Sequence, residues 1–178
     1  MNAAWVVVLA ALTVGARFAS AAEAPGCSHF AWDVSHELDV MKQTPQALVA
    51  GTESGPQTPW LQLDKLYEVA LSGQDRVTYA VKPAKAASSQ GARGGLVRFH
   101  VDKAGLYRIA ISSRHWIDVV DRGQLIQSHD FLGSHDCERP HKIVEFELPA
   151  GTDLVLQFSG STESAVLVGV TDHRKEQQ

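Results

Sequence analysis

The densest group of side chains able to do chemistry lies between His129 and His141, where His129, His135 and His141 alternate with Asp130, Asp136, Cys137 and Glu138. Neutral imidazole and carboxylate suit iron, copper or zinc. The spacing matches no recognised ligand set, since there is no His-x-His and no His-Glu-x-x-His. A polar loop between two strands is the plainer role. A second pair, His29 and His36, flanks Trp32 and Asp33 near the N-terminus. A Cys27–Cys137 bridge would bring the two histidine groups together. The metal hypothesis is then a metal-dependent enzyme using His29, His36, His129, His135 and His141.

The run Ser112-Ser113-Arg114-His115-Trp116-Ile117-Asp118 holds Ser, His and Asp, but a nucleophile, its base and an orienting acid must converge in space. Neighbours on one strand point to opposite faces, and no Gly-x-Ser-x-Gly elbow accompanies them. Asp118 shares a strand face with Trp116 and Val120. It is therefore either a buried, hydrogen-bonded acid or part of a concave binding face. Tryptophans on a sandwich face can stack on sugar rings or pack in the core. Trp32, Trp116 and Asp118 are the candidate ligand-binding residues.

Positioning these groups falls mainly to strands. Val34, Leu38 and Met41 recur at helical spacing, with Asp33 a candidate N-cap, and predict one short N-terminal helix. Tyr67, Val69 and Leu71 alternate with polar or small residues as in a half-buried strand, and Arg76 to Val81 is a further candidate. Residues 82–95 are small, polar and aperiodic, which predicts a long surface loop. Val97, Phe99 and Val101, then Tyr107, Ile109 and Ile111, predict a hairpin across a short Gly-containing turn. Strands follow at His115–Asp121, Leu125–Ser128, Lys142–Leu148, Leu154–Ser159 and Ala165–Thr171. Short strands every 8–12 residues or so, with turn signals between them, indicate one antiparallel β-sandwich or jelly roll, not βαβ units. The fold class is all-β, with a domain over 22–171 and a polar tail over 172–178.

The chain has 178 residues and a net charge of -4, with no cluster of Lys and Arg to neutralise phosphates, so nucleic acid is not an expected partner. Trp5 to Val14 is an apolar run too short to span a bilayer, followed by Ala19-Ser20-Ala21-Ala22. It reads as a signal peptide over 1–21, cleaved after Ala21 or Ala22, although Met1-Asn2-Ala3-Ala4 carries no basic side chain. A retained anchor is the alternative. Cleavage leaves no membrane span and predicts a periplasmic or secreted protein. Both cysteines, Cys27 and Cys137, remain, and an even count in an oxidising compartment points to a disulfide. A metal pair or redox couple is the alternative, though no Cys-x-x-Cys is present.

The series Ala104-Gly105-Leu106-Tyr107-Arg108-Ile109-Ala110-Ile111, Trp116-Ile117-Asp118-Val119-Val120 and Gly123-Gln124-Leu125-Ile126 resembles exported β-sandwich modules. Examples are the bacterial pre-peptidase C-terminal domain and the protective-antigen-type sugar-binding domain. Over almost the whole mature chain, the sequence is similar to a group of small exported proteobacterial proteins. The likeness lies in Cys27-x-x-Phe30-x-Trp32-Asp33, Tyr107, Trp116 to Val120, Gly133-x-x-x-Cys137, Lys142 to Leu148 and Leu154 to Gly160. Members of that group, whose function is not established, are often catalogued as homogentisate 1,2-dioxygenase. The cupin-type dioxygenases hold iron between two histidines and a glutamate, and no stretch here matches that motif residue by residue. The resemblance implies export, a β-sandwich and a Cys27–Cys137 bridge, and it transfers no catalytic residue. The expected function is a non-catalytic binding or accessory module for a small molecule, a glycan or an envelope protein, with no cofactor. The alternative is the metal-dependent enzyme, with Fe, Cu or Zn.

Overall fold

Strands with alternating apolar residues leave water by facing a second such surface. The computed structural model describes Cys27 and residues 30–85, 90–134, 136, 137 and 139–173, and it meets that demand with two sheets. The expected signal segment, most of the tail, His29 and His135 lie outside the described residues. A six-stranded sheet has the order β1 (Gln46–Val49), β2 (Tyr67–Ala70), β11 (Ala165–Asp172), β5 (Gly105–Ile111), β9 (Lys142–Leu148), β8 (Ser128–Gly133). A five-stranded sheet has the order β3 (Ser72–Gly73), β4 (Arg93–Val101), β10 (Thr152–Ser161), β6 (Trp116–Asp121), β7 (Gln124–Ile126). Between them lie Phe99, Leu154, Leu156 and Phe158 from one sheet and Tyr107, Ile109, Phe146 and Val168 from the other.

The expected all-β sandwich with one short N-terminal helix is present, and three expectations about its parts are corrected. The stretches expected to form a hairpin, β4 and β5, belong to opposite sheets: Phe99 pairs with Leu154, whereas Ile109 pairs with Val144 and Val170. Both strands carry apolar rows that must be covered. An arch through Asp102–Ala104 lets the rows face each other, and Gly105 takes it with a φ of 153°, which disfavours a side chain.

The strand pairs of the sandwich are antiparallel except that β1 runs parallel to β2. Between them the chain crosses to the other sheet, where Gly51 and Leu96 exchange two 2.9 Å backbone hydrogen bonds and Leu61 N–H donates to Arg98 O at 2.7 Å. It then re-enters from the same end. Arg76 to Val81 is no strand: Gln74–Arg76 is a 3-10 turn, and the segment beyond it is held by side-chain hydrogen bonds and by one isolated backbone contact, Thr78 N–H to Thr52 O at 2.7 Å. Part of the expected 129–141 loop is β8, which pairs with β9. As an edge strand it is mostly exposed, so it carries no buried alternation to reveal it.

The helix α1 (Ser35–Met41) lies on the outer face of the six-stranded sheet, where Val34, Leu38, Val40 and Met41 pack with Leu66, Ala110, Ile143 and Leu167. Asp33 Oδ1 accepts the Ser35 N–H at 3.0 Å, just ahead of the first turn. Gly169 permits the close approach, since a Cβ there would sit 2.7 Å from Val40 Cγ1. Cys27 and Cys137 form a disulfide, with Cα atoms 4.8 Å apart, inside this same cluster.

The bridge ties the N-terminal segment to the turn before β9 and should therefore show as stability. Denatured, unreduced protein is expected to yield no reactive thiol. Reduction should lower the unfolding free energy in urea by about 2–5 kcal/mol. Two reactive thiols would contradict the pairing.

Candidate functional site

The site follows from a length mismatch between two strands. β7 pairs only with Val119–Asp121 of β6, so Trp116–Asp118 have β10 on one side and an open edge on the other. Gln127 then carries the chain across to β8 in the opposite sheet. The gap left beside β6 is a cleft of about 230 Å³, walled by Trp116, Ile126, Phe131, Val144 and Phe146 with Lys142 among them.

Within β6, Ile117 and Val119 enter the core, which turns Trp116 and Asp118 outward. Asp118 is only 7% exposed, and a buried carboxylate must be hydrogen-bonded. Its Oδ1 accepts Trp116 Nε1–H at 2.8 Å; its Oδ2 accepts the Ala84 backbone N–H at 3.2 Å and Gln157 Nε2–H at 3.3 Å. The loop expected over 82–95 is accordingly not free at its near end. Gln157 donates to Val81 O at 3.0 Å and Ser159 to Lys85 O at 3.1 Å, so the segment is strapped across the outer face of β10 and β6. Its far end, Arg93–Gly95, is already β4. Beneath it, Tyr79 donates to Phe158 O at 2.9 Å, and burial, reinforced by the Asp118 charge, pushes its phenol up to about 12.

Two amines meet at the Trp116 ring, Lys85 Nζ at 4.6 Å from its centroid and Lys142 Nζ at 5.6 Å. Lys142 begins a strand whose Val144, Phe146 and Leu148 are core residues, so it shares their inward phase. Burial, then the neighbouring Lys85 charge, lower its ammonium to about 8, with Asp118 acting in the opposite direction. His115, immediately before β6, is fully buried; its Nδ1 lies 2.7 Å from Ser113 Oγ and its ring stands edge-on to Phe158. Burial, then the Lys142 charge, hold it down at about 4, so it is neutral at pH 7. Ser113 and His115 do touch, as their spacing allows, but at 2% and 0% exposure they face no solvent, and Asp118 lies on the other face of the strand.

Trp116 and Asp118, expected as ligand-binding residues, are therefore joined in one site. Trp32 is elsewhere: it lies on the outer face of the six-stranded sheet, 4.8 Å beneath the Arg108 guanidinium. Trp60 is bridged to Arg98 on the far side of β4. Among the described residues, Trp32, Trp60 and Trp116 form no common stacking surface. The described histidines are equally dispersed. His36 Nε2 is 2.8 Å from Asp64 Oδ1, His129 Nε2 is 3.9 Å from Glu145 Oε1, and His141 lines a different hollow of about 580 Å³ with Arg139 and Glu163. Among the described residues, no three His, Cys, Asp or Glu side chains are arranged to take an ion.

No family model and no curated protein matches the chain. Among solved structures it is similar to the pre-peptidase C-terminal domain of a collagenase from Bacillus anthracis. The two share 10% identity over 72% of this chain and 97% of that one, with a TM-score of 0.38.

Lys142 belongs to no ligand or catalytic motif in the sequence. Its signal was available: a cation occupying an inward position of an otherwise apolar alternation. Phe131 offered less, because its strand lacks a periodic pattern.

A buried neutral histidine makes stability depend on pH in a definite direction. His115 is lowered from 6.5 unfolded to about 4 folded, so below 6.5 the unfolded chain binds the extra proton and stability falls until about pH 4. Between pH 7 and pH 5 this group should remove about 2 kcal/mol. Urea unfolding across that range should show a shallower decline for His115→Gln than for the native protein. Equal slopes would show that His115 is not buried in its neutral form.

Proposed function

We propose that this protein is an exported binding module that holds a small ligand with an apolar, flat body and an anionic end in the cleft beside β6. The observation that carries this reading is the pairing of apolar walls with two amines at one tryptophan ring. Pockets with apolar linings and a few convergent polar groups are the usual form of small-molecule sites. The cleft's volume falls below the roughly 300–1,000 Å³ of sites for drug-sized ligands, which favours a single ring or a short chain.

Asp118 is spoken for by Trp116, Ala84 and Gln157, so it fixes the ring and the strap and leaves Lys85 and Lys142 to meet an anion. The scattered, cation-covered tryptophans favour a small ligand over a glycan, whose recognition would draw on an open aromatic platform. The disulfide fits an oxidising compartment, consistent with export. Among the described residues, no helix is long and apolar enough to cross a membrane.

Sodium benzoate carries the minimal chemistry of such a ligand. Calorimetric titration at pH 7 should show saturable binding, weakened about tenfold by Lys142→Met through loss of one charged hydrogen-bond donor. Binding should also weaken as pH rises through about 8, where Lys142 loses its proton. Folded protein that shows no saturable uptake of benzoate would overturn the reading.

A further inference from the structure

We propose that Lys142 captures small carbonyl compounds, its ε-amine forming an imine with an aldehyde or ketone seated in the cleft. The inference rests on the cleft being the ligand site and adds a covalent step and a substrate class to it.

The geometry isolates this amine. Lys142 leaves β9 on the inward side, in the row of Val144, Phe146 and Leu148, and its Nζ reaches the opening beside Trp116. The nearest acid of the site, Asp118, spends its oxygens on Trp116, Ala84 and Gln157. Among the described residues Lys142 Nζ has no carboxylate partner. The other charge near it from a neighbouring segment is another cation, Lys85, at the same ring, and neutral His115 offers no compensating negative charge. A lysine that is desolvated and placed next to a like charge is the form in which this side chain acts as a nucleophile.

The remaining cations held over tryptophan differ in kind. Arg98 over Trp60 also donates to Thr58 O and Pro56 O, and Arg108 over Trp32 is bound to Glu145 and Asp33 O. Guanidinium groups do not release a proton in proteins, whereas an ammonium near 8 leaves about a tenth of Lys142 as free amine at pH 7.

The step needs no further reactant. The nitrogen lone pair attacks the carbonyl carbon, the C=O π pair moves to oxygen, and a proton passes from nitrogen to that oxygen to give a carbinolamine. Loss of water then leaves the C=N bond. One amine and one carbonyl become one imine and one water, with no oxidation. The apolar side chains of Ile126, Val144 and Phe146 around the position limit the water that would reverse it.

Benzaldehyde with sodium cyanoborohydride, applied to the folded full chain at pH 7 and read by peptide mass spectrometry, tests the step. Lys142 should be benzylated about tenfold or more faster than the exposed Lys65 and Lys103, reflecting its larger neutral fraction. Benzoate should suppress labelling at Lys142 and leave Lys65 and Lys103 unaffected. Labelling of Lys142 no faster than at those surface lysines, with benzoate still binding, would overturn imine capture and leave the binding reading standing. Absence of benzoate binding together with unselective labelling would overturn both.

Discussion

Each outer face of this sandwich buries charged groups around one central side chain, and meeting the hydrogen-bonding needs of those groups organises the chain outside the sheets. On the five-stranded sheet that side chain is Asp118, and the segment bound to it is the strap over residues 81–85. On the six-stranded sheet it is Arg108, only 4% exposed, which donates to Glu145 Oε2 at 3.0 Å and to Asp33 O at 2.7 Å and lies 3.4 Å from Glu37 Oε2. Glu37 is fully buried and accepts from Thr171 at 2.6 Å, so Arg108 fixes the position of α1 as Asp118 fixes the strap. A buried ion left without partners costs several kcal/mol, which is why neither segment can drift from its sheet cheaply.

The two faces end differently. Over Arg108 the helix, Trp32 and the disulfide complete a second apolar cluster. Over Asp118 the cover is a narrow strap, and β7 stops short, so the edge of β6 stays open and the sandwich has a mouth there. Trp116 is held at that mouth by its hydrogen bond to Asp118, with Lys85 and Lys142 beside its ring. The ligand site is thus a consequence of where strand pairing ends, and its chemistry comes from the charges that could not be buried in pairs.

Much of this was legible in the residues and some was not, for identifiable reasons. Period-two alternation located β4, β5, β6, β9, β10 and β11, because each buries one face. It also put Trp116 and Asp118 on the same face. Alternation is blind to partner choice: β4 and β5 read alike as a hairpin or as an arch, and only the demand that both rows be covered from opposite sides separates them. β8 went unseen because an exposed edge strand imposes no apolar pattern. The histidines drew attention by their number, yet His36, His129 and His141 answer to different neighbours. Lys142 belongs to no ligand or catalytic motif and is marked as a site residue only by a break in phase, a charge where the strand calls for an apolar side chain.

The claim on which the rest depends is that Asp118 holds the strap and the tryptophan in place. Amide hydrogen exchange at Ala84 reads it directly, because that N–H donates to Asp118 Oδ2 at 3.2 Å. The account predicts slow exchange of the Ala84 amide in the native protein and fast exchange in Asp118→Ala, with the β4 and β10 amides still protected. Exchange of Ala84 at the unprotected rate in the native protein would contradict it.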